Sequence, residues 1–165
     1  MSNETAAQSH SQSPIVIERS YRASIEDVWS LWTTKEGFES WWGPQGFRVE
    51  VHALEAHEGG PLHYDMIADT PEMVAAMKEA GQPVSHPTRS HFAALKHHER
   101  LVVTSVIDFL PGVEPYESSF SVDFTVTGDT VHMVVTLNPM HSADVSGMQK
   151  EGFESQLGKL EQRFA

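Results

Sequence analysis

The sequence predicts an α+β domain in which a mostly antiparallel sheet of about six or seven strands is closed by one long C-terminal helix. Three observations carry that expectation. All four tryptophans fall between Trp29 and Trp42, in two short helical phrases ended by the run Trp41-Trp42-Gly43-Pro44. From Phe47 onward apolar residues recur mostly at every second position, the period of half-buried strands. Residues 142–164 instead space Met148, Phe153, Leu157, Leu160 and Phe164 by three to five positions with charges between them. That is an amphipathic helix, and it needs a sheet to lie on.

The elements follow in chain order. Residues 1–13 are polar, rich in Ser and Gln and without apolar period, so burial cannot offset the entropy of ordering them; a disordered tail is expected there and a single domain over 14–165. Ile15, Ile17 and Arg19 alternate with Val16, Glu18 and Ser20 as a first strand, which leads through Tyr21-Arg22-Ala23 into a cap. Ser24, with Asp27 three residues on, caps a helix over about 25–32 whose apolar face is Val28, Leu31 and Trp32. Thr33 or Thr34 caps a second short helix through Lys35, Glu36, Phe38 and Trp41. Gly43-Pro44 ends it, since Pro cannot continue a helix and Gly frees the backbone.

Beyond Pro44 the pattern alternates. Phe47, Val49, Val51 and Ala53 share one face of a strand, with Arg48, Glu50 and His52 on the other. A turn at Glu58-Gly59-Gly60 leads to a strand over about 62–68, with Leu62, Tyr64 and Met66 opposed to His63, Asp65 and Ile67, and the two form a hairpin. Further strands are read at about 90–96, 101–108, 118–127 and 130–138, the last two joined by a tight turn at Gly128-Asp129. One helix-turn insertion, about 70–86, interrupts the meander. Thr70 supplies its capping hydroxyl, Pro71 its first helical position, Met73, Val74 and Met77 one side, and Gly81 its stop. It either covers a sheet end or forms a Met-lined lid over a pocket, because Met adapts to varied apolar ligands.

Composition narrows the function. The net charge of -12 disfavours binding to nucleic acid or anionic lipid. With 39% hydrophobic residues but no run of about 20, the chain should fold in water without inserting into a membrane. The absence of cysteine removes disulfides, thiolate catalysis and zinc-thiolate sites, in agreement with a cytoplasmic location, the default when no secretory signal is visible. There is no H-E-x-x-H, no G-x-S-x-G elbow and no Gly-rich phosphate loop, so metalloprotease, serine-hydrolase and nucleotide-binding motifs are missing. No cofactor is expected.

The order of elements resembles the helix-grip fold of the START and birch-pollen-allergen superfamily, SRPBCC, in which an antiparallel sheet curves around the C-terminal helix. The residues Ile17-Glu18-Arg19, Val28-Trp29-Ser30-Leu31-Trp32-Thr33, Trp41-Trp42-Gly43-Pro44, Gly59-Gly60, Glu99-Arg100-Leu101-Val102 and Glu151-Gly152-Phe153 resemble the branch related to the C-terminal domain of the activator of the heat-shock protein 90 ATPase. The eukaryotic activator carries a separate N-terminal chaperone-binding domain for which this chain has no room, which argues against a chaperone cofactor. The 70–86 insertion resembles a subgroup in bacterial genomes.

The resemblance implies a cavity between the sheet and the C-terminal helix, with apolar walls and a few orienting polar groups. By parity Phe47, Val49, Tyr64, Met66, Phe120, Phe124 and Met133 line its sheet side, and Phe153 and Leu157 its helix side. Met73 and Met77 would form a lid, and Trp41 or Trp42 would edge the mouth. Tyr64, Asp108, Tyr116 and His132 are the polar candidates, facing either the cavity or solvent. Non-enzymatic binding of a small apolar molecule leads. A buried carboxylate such as Asp108, or a histidine near a tyrosine, would instead serve a cyclase or dehydratase acting on a polyketide-like or aromatic substrate. An interaction module using the acidic surface and the Pro111-Gly112-Val113-Glu114-Pro115 loop is the third reading. Of the ten histidines, His52 and His63 with Asp65 form the best candidate metal set, but exposed-face pairing is preferred. His97-His98-Glu99 reads as solvated turn residues, and no metal site is expected. Oligomeric state stays open.

Overall fold

The computed structural model describes residues 13–108, 112–139 and 142–164. All but the last residue of the expected tail, and Pro111 of the proline-bearing loop, lie outside the described residues. The elements are β1 (Ile15–Arg22), α1 (Ile25–Thr33), α2 (Lys35–Glu39), β2 (Phe47–Leu54), β3 (Pro61–Ala68), α3 (Pro71–Glu79), β4 (Ser85–Lys96), β5 (Arg100–Ile107), β6 (Tyr116–Thr127), β7 (Thr130–Leu137) and α4 (Ala143–Arg163). No helix among the described residues is long and apolar enough to cross a membrane.

The strands form one seven-stranded antiparallel sheet in the order β1-β7-β6-β5-β4-β3-β2. The first two strands of the chain are thus its two edges, and α1 and α2 carry the chain from one edge to the other. Flat, seven strands at the usual spacing would hold those edges roughly 29 Å apart. Yet one helix touches both. Lys159 Nζ of α4 donates to the Phe47 carbonyl at the start of β2, at 3.1 Å, and Arg19 Nε of β1 donates to Glu161 of α4 at 2.6 Å. The sheet curls around α4.

Local chemistry fixes each helix start. Ser24, Thr34, Thr70 and Ser142 turn their hydroxyls onto the backbone N–H groups of Asp27, Gly37, Met73 and Val145, satisfying donors that the first turn leaves orphaned. Thr33 is not the second cap; it donates to the Trp29 carbonyl at 2.8 Å. The inserted helix α3 fills only the first part of the 70–86 segment. Ser85 and His86 already belong to β4, which pairs with β3 as far as Ile67↔Ser85.

All four tryptophans are buried where the crossing helices meet the sheet. Trp32 lies 4.8 Å from Trp41 and 5.6 Å from Trp42 between ring centroids, and Trp42 stacks on Phe38 at 4.7 Å. Trp41 Nε1 donates to the Leu31 carbonyl at 2.7 Å. Each such ring removes about 150–250 Å² from water, on the order of 5 kcal/mol of gross transfer free energy before entropy is charged against it.

Candidate functional site

Helix α4 is held unevenly along its length. In its C-terminal half Leu157 and Leu160 are fully buried. The chain from Gly43 to Phe47 is tied to that half by three hydrogen bonds, Gly43 N–H to Gln156 Oε1 at 2.9 Å, Gln45 N–H to Ser155 Oγ at 2.9 Å, and the Lys159 bond already described. Gly43 and Gly46 have φ of 99° and 93°, which lets that segment turn tightly beneath the helix. In the N-terminal half, Val145, Met148, Gln149, Gly152 and Phe153 face a cleft of about 350 Å³ that opens over β3 to β6.

The cleft is walled by apolar side chains, Leu62, Met66, Val103, Ile107 and Phe120 from the sheet and Val145, Met148 and Phe153 from the helix, with Trp42 between them. Met148 is 61% exposed and stands at the mouth. A polar row crosses this apolar face because the register aligns it: Met66↔His86 and Tyr64↔Thr88 between β3 and β4, Ser90↔Ser105 between β4 and β5, and Ser105↔Ser118 between β5 and β6. Ser90 and Ser105 satisfy each other, with their hydroxyls 2.6 Å apart. Trp42 Nε1 donates to Tyr64 Oη at 3.0 Å. Burial pushes the Tyr64 phenol up to about 12 against the opposing pull of hydrogen bonds with Trp42 and Thr88, so it is a neutral hydroxyl at physiological pH.

Two residues of this lining each carry an enclosed polar atom that has no partner. Ser118 Oγ and Gln149 Oε1 are buried and make no hydrogen bond. One comes from the sheet and the other from the helix facing it.

Of the residues singled out from the sequence, Tyr64, Met66, Phe120 and Phe153 line the cleft together. Trp42 lines it and Trp41 does not, since Trp41 points back under α1. Val49, Met133 and Leu157 are buried elsewhere in the filled core, Phe124 packs against Trp29 at 5.4 Å, and Phe47 sits at the β2 edge beneath Lys159. Met73 does not cover the cleft. Its methyl lies 2.9 Å from where a Cβ on Gly46 would stand, which docks α3 on the 43–47 segment, and Met77 is likewise outside the lining. Asp108 is exposed and accepts from Arg89 at 3.3 Å. Tyr116 is half-buried opposite Ile107 at the start of β6, outside the lining. His132 lies between β1 neighbours, its ring nitrogens 2.7 Å from Ser20 Oγ and 3.0 Å from Glu18 Oε1.

The parity argument omitted His86, Thr88, Ser105, Ser118, Gln149 and Gln156. A signal for Ser105 and Ser118 was present: small polar residues interrupt alternating apolar runs at the same parity in Val103-x-Ser105 and Ser118-x-Phe120. Strand order and register were needed to bring them into one row.

The candidate metal set is drawn into a pair, His52 Nε2 to Asp65 Oδ2 at 2.9 Å, and among the described residues no three His, Asp or Glu side chains come close enough to hold an ion. His97 and His98 stack on each other at 3.7 Å and present their rings edgewise to Trp29 at 5.8 Å. They roof that tryptophan. A second hollow of about 440 Å³ lies at the corner of residues 22–26 and 126–129, but mostly exposed residues line it, among them Arg22, Glu26 and Asp129.

A curled antiparallel sheet that grips a C-terminal helix is the helix-grip fold of the SRPBCC class. The chain belongs to the family described as Activator of Hsp90 ATPase homolog 1-like protein, which it matches over residues 22–165. A crystal structure of a Chromobacterium violaceum protein is similar at 19% identity and a TM-score of 0.69, covering 92% of this chain and 96% of that one. The AHSA1 protein from Silicibacter pomeroyi matches at 16% identity and 0.69, covering 90% and 94%. A solution structure from Staphylococcus epidermidis matches at 20% identity and 0.69, covering 93% and 90%. At these identities the likeness is one of fold. No curated protein matches the chain.

Proposed function

We propose that the protein binds a small, largely apolar molecule, without transforming it, in the cleft between β3–β6 and the N-terminal half of α4. The observation that carries this reading is an apolar-walled space of about 350 Å³ between the sheet and the helix, with a few polar side chains in its lining. The volume falls at the small end of ligand sites, and a mostly apolar lining with a few polar groups is their usual composition. Binding without chemistry is favoured because a cyclase or dehydratase needs an acid or base aimed at its substrate. Asp108, the carboxylate suited to that role, pairs with Arg89, and among the described residues no Asp or Glu lines the cleft; His86 and Tyr64 both line it, but the register sets His86 opposite Met66 rather than Tyr64, and the Tyr64 hydroxyl already accepts from Trp42.

Native mass spectrometry of the protein purified from its own host tests the reading. The expected result is a bound small molecule, released on denaturation and lost in Ser118→Leu, which fills the cleft. Its repeated absence, with no thermal shift across a panel of lipids and aromatic acids, overturns the proposal.

A further inference from the structure

The outer face of the sheet, turned away from α4 and the cleft, carries a second constellation of reactive groups. On β7 the buried side chains are Val131, Met133, Val135 and Leu137, so His132 projects to the outer side. β1 sets Ser20 directly opposite it, with Glu18 two residues along on the same face. Ser20 Oγ lies 2.7 Å from His132 Nδ1, and Glu18 Oε1 lies 3.0 Å from His132 Nε2. An ionised carboxylate only accepts, so Glu18 holds the ring proton on Nε2. The lone pair on Nδ1 then faces the Ser20 hydroxyl as a base. Nucleophile, base and orienter are thus joined by hydrogen bonds, the arrangement that activates a serine. The backbone adds a donor beside them. Ala23 N–H bonds the Asp129 carbonyl at 3.2 Å, which makes Arg22↔Thr130, and by alternation Ser20↔His132, a pair without ladder bonds between its own two backbones. Side chains approach most closely in such pairs. Because β1 is an edge strand, the Ser20 N–H is directed out of the sheet, and a nucleophile's own N–H is one of the donors that serine proteases aim at the oxyanion.

We infer that Ser20 is a nucleophile that takes the acyl group of small activated esters, with His132 as its base and Glu18 as the residue that positions His132. This site is separate from the cleft and does not depend on what the cleft binds. The His132 and Glu18 side chains are 38% and 61% exposed, so the site is open and selects by the reactivity of the ester rather than by its shape. In the first step Ser20 Oγ attacks the ester carbonyl, its proton passes to Nδ1, the bond to the leaving oxygen breaks, and His132 returns the proton to the departing alkoxide or phenoxide. Acyl-Ser20 remains. Water, which reaches this face freely, then attacks the acyl carbon with His132 again taking the proton, releasing a carboxylic acid and restoring the serine.

The test treats the full chain with an alkyl fluorophosphonate, which an activated serine attacks at phosphorus with loss of fluoride and which water does not readily remove afterwards. Peptide mapping should find the label on Ser20 and not on Ser40, an exposed serine whose hydroxyl donates to the Gly37 carbonyl at 2.6 Å and has no base beside it. His132→Ala should slow labelling about a hundredfold, the low end of what a general base contributes. With p-nitrophenyl acetate as the acyl donor, Ser20→Ala and His132→Ala should lose the same share of nitrophenolate release. The role of Glu18 is read from the imidazole ¹⁵N shifts of His132, which should report a proton on Nε2 and a bare Nδ1 in the unaltered protein, and a shift away from that tautomer in Glu18→Gln. Circular dichroism checks that these surface variants stay folded. No label on Ser20, or labelling that His132→Ala leaves unchanged, overturns the inference, as does nitrophenolate release that Ser20→Ala does not lower. A His132 tautomer that is the same in Glu18→Gln overturns the part given to Glu18.

Discussion

The two halves of α4 face the same sheet, yet one is packed and the other is not. Around Leu157 and Leu160 the helix is fully buried, and the 43–47 segment is pinned to it by three hydrogen bonds. Around Met148 and Gln149 it leaves a cleft. The unpartnered polar atoms differ in the same way. Outside the cleft lining they are Tyr21 Oη and Trp32 Nε1, carried by rings whose burial outweighs one lost hydrogen bond. In the open half they are Ser118 Oγ and Gln149 Oε1, on side chains with little apolar surface to bury.

Substitutions along the helix separate the halves. Leu157→Ala should cost about 2–5 kcal/mol, since the site is fully buried and the cavity left behind adds to the lost transfer energy. Chemical denaturation measures it, and a cost near zero would show that the packed half is not packed. Gln156→Ala strands the Gly43 N–H and should cost about 1–3 kcal/mol by the same measurement, weakening the latch between helix and 43–47 segment.

Tyr64 sharpens the comparison through pH. Its phenol is pushed up to about 12 in the folded chain, against about 10 when unfolded. Between those values the folded state keeps a proton that the unfolded state has lost, so the contribution is whole below about pH 10 and is lost as pH rises toward 12. Tyr64→Phe should therefore flatten the alkaline fall in Tm relative to the unaltered protein; an unchanged slope would place Tyr64 in contact with water. Burial also raises the Tyr21 phenol, so part of the slope survives in the variant. Smallest of all, Met148→Ala at the cleft mouth should change stability by less than about 0.5 kcal/mol. A loss comparable to that of Leu157→Ala would erase the distinction between the halves.

The element order, helix caps and inward parity could be read from periodicity alone, because Ser24, Thr70, Pro71 and the alternation of β2 and β3 act within a few residues. The site could be read only in part. Parity placed Tyr64, Met66, Phe120, Phe124 and Met133 on the inner face alike, but which of them border a space depends on which strand lies beside which. β1 and β2, consecutive in the chain, end on opposite edges of the sheet. That long-range pairing puts Phe124 and Met133 into the filled half and Phe120 at the cleft. His86 and Thr88 were hidden for a different reason: His86 fell at the end of the segment read as a helical insertion and Thr88 between that segment and the strand read from about 90, whereas β4 begins at Ser85. Met73, read as a lid, serves Gly46 instead.

The claim that one half of the grip is built to be filled by a ligand is tested most directly by amide chemical-shift mapping during titration with N-phenyl-naphthylamine. Saturable shifts should concentrate at Ser105, Ser118, Gln149 and Gly152 and spare Val131, Val135 and Leu160. Shifts that never saturate, or that centre on the packed half, would contradict it.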